Sequence, residues 1–241
     1  MTVRLLFLCG LVAISTAFLR AQAPLPAPTT VPNDENARAF PAWFNACRER
    51  TEAAKAAGAK IDTVFLGDSL TERWLRPAEG LPLWNRLYAD HALNFGVSGD
   101  GTEHLLWRMQ AIDLSSFAPT IRTVILLIGT NDAPRPPEEI VAGIGAVLAR
   151  SHALFPQART FLVGIPHNAR ADEVTEAANV KLKEMADGKS LVYVDLPGMM
   201  TPDRFIKNWQ GLGPDRLHLS AEGYRLWSEA LKGAMAPTPT P

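Results

Sequence analysis

The residues of this chain that could do chemistry lie in two short segments that are far apart in the sequence. Gly67-Asp68-Ser69-Leu70-Thr71 directly follows a short apolar run, and Asp215-Arg216-Leu217-His218 comes near the carboxyl end. A serine placed after a strand would present its hydroxyl at the mouth of an α/β sheet, where such folds bind ligands. A carboxylate three residues before a histidine can orient the imidazole. Ser69, His218 and Asp215 therefore supply a nucleophile, a base and an orienting carboxylate for acyl transfer.

Two more loops, whose groups could take part in a reaction, follow apolar runs between those segments. The first, Asn94 to Thr102, contains glycines that let the backbone approach a ligand and leave an N–H group free. The second, Gly129-Thr130-Asn131-Asp132, offers the side-chain amide of Asn131. Each loop alone has a plainer interpretation, as a tight strand-to-helix turn or as a turn with a turn-forming asparagine. If the preceding runs are parallel strands, however, all these loops meet at one edge of the sheet.

The order and spacing of the segments resemble the GDSL/SGNH hydrolase superfamily. The resemblance implies a catalytic triad of Ser69, His218 and Asp215. It also implies an oxyanion hole formed by the backbone N–H groups of Ser69 and Gly99 and by the side chain of Asn131. The segments that carry the resemblance are Gly67-Asp68-Ser69-Leu70, Gly96-Val97-Ser98-Gly99-Asp100, Gly129-Thr130-Asn131-Asp132 and Asp215-Arg216-Leu217-His218.

A closer similarity is to the catalytic subunits of the intracellular platelet-activating-factor acetylhydrolases. It is carried by His91–Gly96, Thr102–Arg108 and His218–Tyr224, within a wider resemblance from about Ile61 to Leu231. This chain departs from those subunits at Ser98, where they usually have glycine, and in its export signal, because they are cytosolic. The similarity therefore leaves a phospholipid and other acetyl esters equally open as substrates. It also makes a homodimer an expectation that no residue pattern establishes.

Other polar residues near these segments are expected to have supporting or structural roles. Ser98 lies in no Gly-x-Ser-x-Gly elbow, so it is not a rival nucleophile. Asp68 and Asp132 are expected to hydrogen-bond within their own turns, and His104 to be a packed or surface histidine. Trp209, before the acid–base pair, is a candidate for lining the pocket. The chain has no His-Glu-x-x-His and no cysteine pair, so we expect neither a metal nor a cofactor.

The elements that must position these residues are alternating strands and helices. Thr123–Ile128 shows no polar alternation after Thr123, as expected of a central strand buried on both faces. The alternation predicts a three-layer α/β/α sandwich with a central parallel sheet of about five strands, a flavodoxin-like fold. The predicted strands are Thr63–Leu66, Leu93–Phe95, Thr123–Ile128, Thr160–Val163 and Leu191–Val194, and the predicted helices are Ala37–Ala57, Thr102–Ile112, Pro137–Phe155, Asp172–Ala186 and Ala221–Leu231.

Length and charge narrow the classes of protein that this chain could belong to. It has 241 residues, of which 47% are hydrophobic, which suffices for one sizeable core. The formal net charge of −1 gives no electrostatic case for binding nucleic acid. We expect one hydrolase domain over 37–235, preceded by a proline-rich linker over 24–36 and followed by a disordered proline-rich tail over 236–241.

The amino terminus indicates an export signal over residues 1–23. Arg4 supplies the positive charge, Leu5–Leu19 is almost wholly apolar, and Ala21-Gln22-Ala23 offers a cleavage site. The apolar stretch of about 15 residues is shorter than the roughly 20 needed to cross a bilayer. We therefore expect a secreted or periplasmic protein without a membrane span after signal removal, the alternative being an uncut signal anchor. Removal of the signal leaves Cys47 as the only cysteine, so no intramolecular disulfide can form.

The favoured function is that of an exported serine esterase acting on short acyl esters, acetyl first. A polysaccharide acetylesterase of the xylan type, acting on an acetylated glycan, comes second, followed by lysophospholipase or thioesterase activity. The non-hydrolase interpretations are a catalytically silent carbohydrate-binding module of the same fold and a nucleotide-binding protein of the flavodoxin type. Retention of Ser69, Asn131, Asp215 and His218 argues against the silent module, and the acid–base pair would have no task in a nucleotide-binding protein.

Overall fold

Parallel strands form the centre of the fold in a computed structural model, which describes residues 28–200, 202–203, 208–209 and 211–236. The sheet has five strands in the order β2-β1-β3-β4-β5, so β3 is central, as its apolar sequence predicts. The predicted three-layer sandwich with a parallel sheet is confirmed, and each predicted strand boundary lies within one residue of the observed one. The strands are β1 (Thr63–Gly67), β2 (Ala92–Gly96), β3 (Thr123–Leu127), β4 (Arg159–Val163) and β5 (Leu191–Val194).

Helices connect the strands; three of the five predicted helices end one or two residues early, and the other two differ more. The helix predicted over Ala37–Ala57 is broken at Phe40, because Pro41 starts a new helix at the position that proline favours. The last helix continues beyond Leu231 to Met235. The helices are α1 (Glu35–Ala39), α2 (Pro41–Ala56), α3 (Ser69–Glu72), α4 (Leu81–Leu87), α5 (Thr102–Ala111), α6 (Pro137–Leu154), α7 (Asp172–Glu184), α8 (Leu196–Met199) and α9 (Ala221–Met235), and β6 (Pro202–Asp203) pairs with β7 (Asn208–Trp209) as an antiparallel ribbon.

The strands β1, β2 and β3 are buried on both faces, and the sheet separates two apolar layers. Val64 and Leu66 of β1 point into a cluster formed with α2, α5, α6 and α7. Phe65, between them, points to the opposite side, where α3, α4, α8 and α9 pack. This alternation follows from the two-residue period of a strand. Trp74 and Trp227 are fully buried in the second cluster, with ring centroids 5.3 Å apart.

The strand order places the candidate residues at one point of the sheet. The chain passes from β1 outwards to β2 and then returns to β3 on the other side of β1. Such a reversal opens a crevice outside the carboxyl ends of the strands. Ser69 follows β1, Gly99 lies in the loop after β2, and Asn131 follows β3. The fold therefore collects three sequence-distant loops around the crevice.

The described part of the expected linker is packed against the body of the protein. Residues 28–36 belong to a linker predicted over 24–36, yet Thr29 and Asn36 are buried. The Thr29 hydroxyl donates to the Glu139 carbonyl, 2.8 Å away, and the Asn33 N–H to the Glu103 carbonyl at 3.0 Å. Side-chain and backbone hydrogen bonds therefore hold this part of the segment against the helices α5 and α6.

Several sequence expectations fall outside the part of the chain that the structure describes. These are the export signal over 1–23, the first four residues of the linker and the tail from 237 onwards. Across the described ranges, none of the helices combines the length and the apolar character that crossing a membrane requires.

Candidate active site

Ser69 occupies the first residue of α3, directly beyond the end of β1. Gly67 must be glycine, because a Cβ atom there would overlap the Leu127 carbonyl oxygen and the Thr71 hydroxyl. The Asp68 carboxylate accepts the N–H of Leu70 at 2.9 Å and so caps the helix. This bond within the turn is the one that the sequence predicts for Asp68. The tight turn leaves the Ser69 side chain at the crevice with 9% of its surface exposed.

His218 and Asp215 meet Ser69 across the crevice. The Nε2 atom of His218 lies 3.0 Å from Oγ of Ser69, and its Nδ1 atom lies 2.6 Å from Oδ2 of Asp215. The other carboxylate oxygen of Asp215 accepts the backbone N–H groups of His218 and Leu217. Partial burial raises the pKa of Asp215, but these hydrogen bonds outweigh it and lower the pKa to about 2.

An ionised Asp215 decides which ring nitrogen of His218 carries the proton. A carboxylate can only accept, so Nδ1 must donate to it. The lone pair of Nε2 then faces the hydroxyl of Ser69. This is the arrangement in which a histidine can take the serine proton. The structure thus brings together the three residues that the sequence analysis assigns to a triad.

Two contacts hold the acid–base segment against the nucleophile. Tyr224, one turn into α9, donates its buried hydroxyl to the Leu70 carbonyl at 2.8 Å. Arg216 has a φ of 55°, and its carbonyl accepts the N–H of Ala169 at 2.9 Å. The Tyr224 bond reaches the residue next to Ser69, so it ties α9, which follows His218, to the nucleophile helix α3.

The candidate oxyanion donors lie on the other side of Ser69. Gly99 has a φ of +82°, a conformation that favours glycine. The Asn131 amide nitrogen donates to the Asp100 carbonyl at 2.9 Å, while its oxygen accepts from Arg170 at 3.0 Å. Together these bonds fix the orientation of the amide and leave one of its two N–H hydrogens for a ligand. The roles of Gly99 and Asn131 stay predictions, but the structure places both at the crevice.

A buried arginine supports the loop that carries Gly99. Arg108 of α5 is 1% exposed and bonds Oδ2 of Asp100 through both Nε, at 2.9 Å, and a terminal nitrogen, at 2.7 Å. The same guanidinium donates to the carbonyls of Gly67 and Phe95, at the ends of β1 and β2. Arg108 therefore ties the nucleophile turn (Gly67–Thr71) to the glycine loop (Asn94–Thr102). The sequence analysis did not identify Arg108. A charged side chain on the apolar face of a helix is, however, a pattern that indicates a buried supporting residue.

Asp132 joins two loops instead of closing its own turn, which corrects the sequence expectation. Its carboxylate accepts the Thr102 hydroxyl at 2.9 Å and the Thr102 N–H, at the start of α5. Burial raises the pKa of Asp132 to about 7, and burial also raises that of Asp68 to about 7. Both carboxyls lie beneath the crevice, so we expect their ionisation to change the stability of the fold more directly than the rate of the reaction.

The structure also locates other residues that were considered for the site, although not all of their side chains are described. Nδ1 of His104 accepts the Gly101 N–H at 2.9 Å, so it is a packed histidine. Ser98 donates to Glu72 of α3 at 2.7 Å, which links the glycine loop to the nucleophile helix. Trp209 lies in β7, but its side chain is outside the described residues. Cys47 is fully buried beneath the site and is not a nucleophile.

A cleft of about 470 Å³ borders the candidate oxyanion side. Its lining includes Pro134, His167, Arg170 and Glu173, and Arg170 is the residue that bonds Asn131. A cleft of this volume falls within the range of small-molecule sites. Within the described ranges, no group of three or more histidine, cysteine or acidic side chains is arranged to hold a metal ion.

The fold and the site define a class of protein, the α/β sandwiches with serine, histidine and aspartate in hydrogen-bond contact beyond a parallel sheet. The family model described as GDSL-like lipase/acylhydrolase matches residues 65–226. The chain belongs to this family and is therefore a hydrolase that acts on esters. The resemblance identified from the four sequence segments is confirmed.

Subunits of platelet-activating factor acetylhydrolase share sequence with this chain. Platelet-activating factor acetylhydrolase IB subunit alpha1 of Homo sapiens is 32% identical over 170 residues, which cover 68% of this chain and 70% of the relative. The alpha2 subunit of Bos taurus is 26% identical over 168 residues, covering 68% of this chain and 71% of the relative.

Solved structures share the fold. A GDSL-like lipase from Bacteroides thetaiotaomicron has a TM-score of 0.58 and 18% identity, covering 78% of this chain and 96% of its own. An acetylxylan esterase from Geobacillus stearothermophilus has a TM-score of 0.55 and 19% identity, covering 73% of this chain and 94% of its own. At such identities these likenesses concern the fold alone.

Proposed function

We propose that this protein is an exported serine esterase that hydrolyses short acyl esters, with acetyl esters as its preferred substrates. The observation that carries the proposal is the contact of His218 with both partners, Ser69 at 3.0 Å and Asp215 at 2.6 Å. The acyl preference is supported by the 32% identical relatives, which are named acetylhydrolases.

The reaction follows from the geometry of these three residues. Oγ of Ser69 attacks the ester carbonyl carbon while its proton passes to Nε2 of His218. The C–O bond to the alcohol then breaks as that proton moves to the leaving oxygen, and the acyl group stays on Ser69. A water molecule, deprotonated by His218, attacks the acyl-enzyme and releases the acid, and the proton returns to Ser69. Asp215 holds the ring and stabilises the imidazolium that forms in each step.

The oxyanion of each tetrahedral intermediate needs donors on the opposite side. The N–H groups of Ser69 and Gly99 and the free amide hydrogen of Asn131 are assigned this role. Removal of one such donor typically costs roughly 10²–10³ in rate. The bonds from Asn131 to Asp100 and Arg170 support the assignment, because a donor fixed before the reaction needs no reorganisation during it.

The test is hydrolysis of p-nitrophenyl esters from acetate to decanoate by purified protein. We expect the highest kcat/KM on acetate, and a loss on the order of 10⁴-fold or more in Ser69→Ala. Ser151→Ala is the matched control, because Ser151 is a buried serine of α6 outside the site. Activity that survives in Ser69→Ala would refute the mechanism, and a preference for long chains would refute the acyl assignment.

Export is part of the proposal and rests on the sequence of residues 1–23. Expression of the full chain in a bacterium should yield mature protein outside the cytoplasm, with its amino terminus near Ala23. Retention of the whole chain in the membrane fraction would favour the uncut anchor instead.

One observation favours a second candidate function, an esterase that removes acetyl groups from a glycan. Phe40 and Trp43 are 49% and 40% exposed, with ring centroids 4.5 Å apart, beside the loop of Gly99. A Cβ atom on Gly99 would lie 3.5 Å from the Trp43 ring. Exposed aromatic faces suit the apolar face of a pyranose, so these rings could carry the alcohol part of the substrate. Loss of acetylxylan hydrolysis in Trp43→Ala, with p-nitrophenyl acetate hydrolysis retained, would establish this candidate, and equal effects on both substrates would dismiss it.

A further inference from the structure

Asn36 reaches the glycine loop from a part of the chain outside the family match. The match covers residues 65–226, whereas Asn36 lies in α1. Its side chain is 7% exposed. The amide nitrogen donates to Oδ1 of Asp100 at 2.6 Å and to the carbonyl of Ser98 at 3.0 Å. One side chain thus bonds the residues on both sides of Gly99.

Asn36 also covers the outer face of Gly99 itself. A Cβ atom built on Gly99 would lie 3.0 Å from the Asn36 amide oxygen. The loop is therefore held from two directions, by Asn36 from outside and by the bond between Arg108 and Asp100 from inside. Because these contacts hold the residues on both sides of Gly99, they constrain the direction of the Gly99 N–H.

The segment that carries Asn36 is anchored by contacts of its own. The Thr102 hydroxyl oxygen lies 3.0 Å from the Thr29 carbonyl and 2.9 Å from Oδ1 of Asp132, so its one hydrogen is shared between these two acceptors. The backbone N–H of Asn33 bonds the Glu103 carbonyl. These bonds do not involve the Asn36 side chain, so truncating it should leave the segment in place.

We propose that Asn36 is a positioning residue for the oxyanion hole, so that the amino-terminal segment completes the active site of this chain. Asn36 acts through Gly99 and does not contact the reacting atoms. The proposal rests on the proposed esterase function, because it assigns the Gly99 N–H to the oxyanion. A displaced donor weakens binding of the transition state more than binding of the substrate.

The experiment compares Asn36→Ala with Asn33→Ala in the full-length mature protein. Among the residues that the structure describes, the Asn33 side chain accepts the N–H of Glu35 within the same segment, so this variant controls for loosening of the segment. We expect Asn36→Ala to lower kcat for p-nitrophenyl acetate about 10-fold with KM changed less than twofold, below the roughly 10²–10³ for removal of a donor. We expect Asn33→Ala to keep kcat within twofold.

A second readout separates positioning from a general structural effect. An alkylboronic acid forms a tetrahedral adduct on a catalytic serine, so its inhibition constant reports the oxyanion hole. In Asn36→Ala this constant should rise about as much as kcat falls, at temperatures below thermal unfolding of both variants. An unchanged kcat, an effect confined to KM, or an equal loss in Asn33→Ala would overturn the proposal. An absence of Ser69-dependent hydrolysis in the wild type would overturn the esterase function itself and this inference with it.

Discussion

Arg108 and Asp100 form a buried ion pair directly beneath the crevice, with a terminal guanidinium nitrogen 2.7 Å from the carboxylate. Their side chains are 1% and 4% exposed. Buried ion pairs stabilise little in total, because desolvation offsets the attraction. Their removal one partner at a time is costly, however, since the other charge is left without compensation. The pair therefore fixes the position of the glycine loop more than it adds to the free energy of unfolding.

Replacement of Arg108 should destabilise the protein more than any surface change. Arg108→Met removes the guanidinium and leaves Asp100 buried without its cation, which typically costs about 3–5 kcal/mol. Urea denaturation followed by tryptophan fluorescence measures this free energy. Arg150→Met, on α6, is the matched control, because Arg150 is only partly buried and makes one long bond to the Met109 carbonyl. Similar losses in the two variants would contradict the role assigned to the buried pair.

The buried carboxyl of Asp68 should make stability depend on pH. Burial raises its pKa from the unfolded value of 3.8 to about 7 in the folded protein. The folded state then binds more protons than the unfolded state between these values, so the contribution of Asp68 to stability is present below pH 4 and is lost towards pH 7. Asp68→Asn cannot titrate, and its free energy of unfolding relative to wild type should increase as pH rises from 4 to 8.

Chemical denaturation at several pH values tests this prediction. The comparison of variant with wild type cancels the titration of shared groups that do not interact with Asp68. Asp100 and Asp132 do interact with it, since their charges help to raise its pKa, so Asp132→Asn is measured in parallel. A difference in free energy that stays constant from pH 4 to 8 would show that Asp68 does not hold its proton in the folded state.

Arg170 should act on the reaction through Asn131. Its guanidinium bonds the Asn131 amide oxygen at 3.0 Å and so holds the donor nitrogen in place. Arg170→Ala should lower kcat several-fold in the wild-type background. In an Asn131→Ala background the same change should have little further effect, because the group that it positions is gone. Arg86→Ala, an exposed arginine of α4 at the opposite end of the sheet, is the matched control.

Kinetics of the four proteins in this double-mutant cycle measure the coupling. Independent, additive losses would mean that Arg170 contacts the substrate or acts elsewhere in the cleft. An effect on KM alone would lead to the same conclusion.

The sheet and the triad could be predicted because local patterns mark them. Ser69 and Asn131 stand in short motifs at the ends of apolar runs, and Asp215 and His218 form a short motif of their own at a spacing of three. The strands β1 and β3 are buried on both faces, so continuous apolar sequence locates them within one residue.

The supporting residues could not be predicted in this way. Asn36 and Arg170 gain their roles from partners that are distant in the sequence, at separations of 64 for Asn36 and Asp100 and 39 for Arg170 and Asn131. Arg108 bonds Asp100 only 8 residues away, but its bond to the Gly67 carbonyl spans 41 residues. No local period or motif encodes such a pairing. The packing of residues 28–36 could not be predicted either, because backbone hydrogen bonds to another element leave no trace in composition.

The central claim is that Ser69 becomes acylated, and the most direct measurement is the mass of the enzyme during turnover. Wild-type protein is mixed with p-nitrophenyl acetate, quenched in acid within the first turnover, digested and analysed by mass spectrometry. The account predicts an acetyl group on the peptide that contains Ser69, and its absence from Ser69→Ala and from unreacted protein. Hydrolysis without an acetylated Ser69, or with the acetyl group on another side chain, would contradict it.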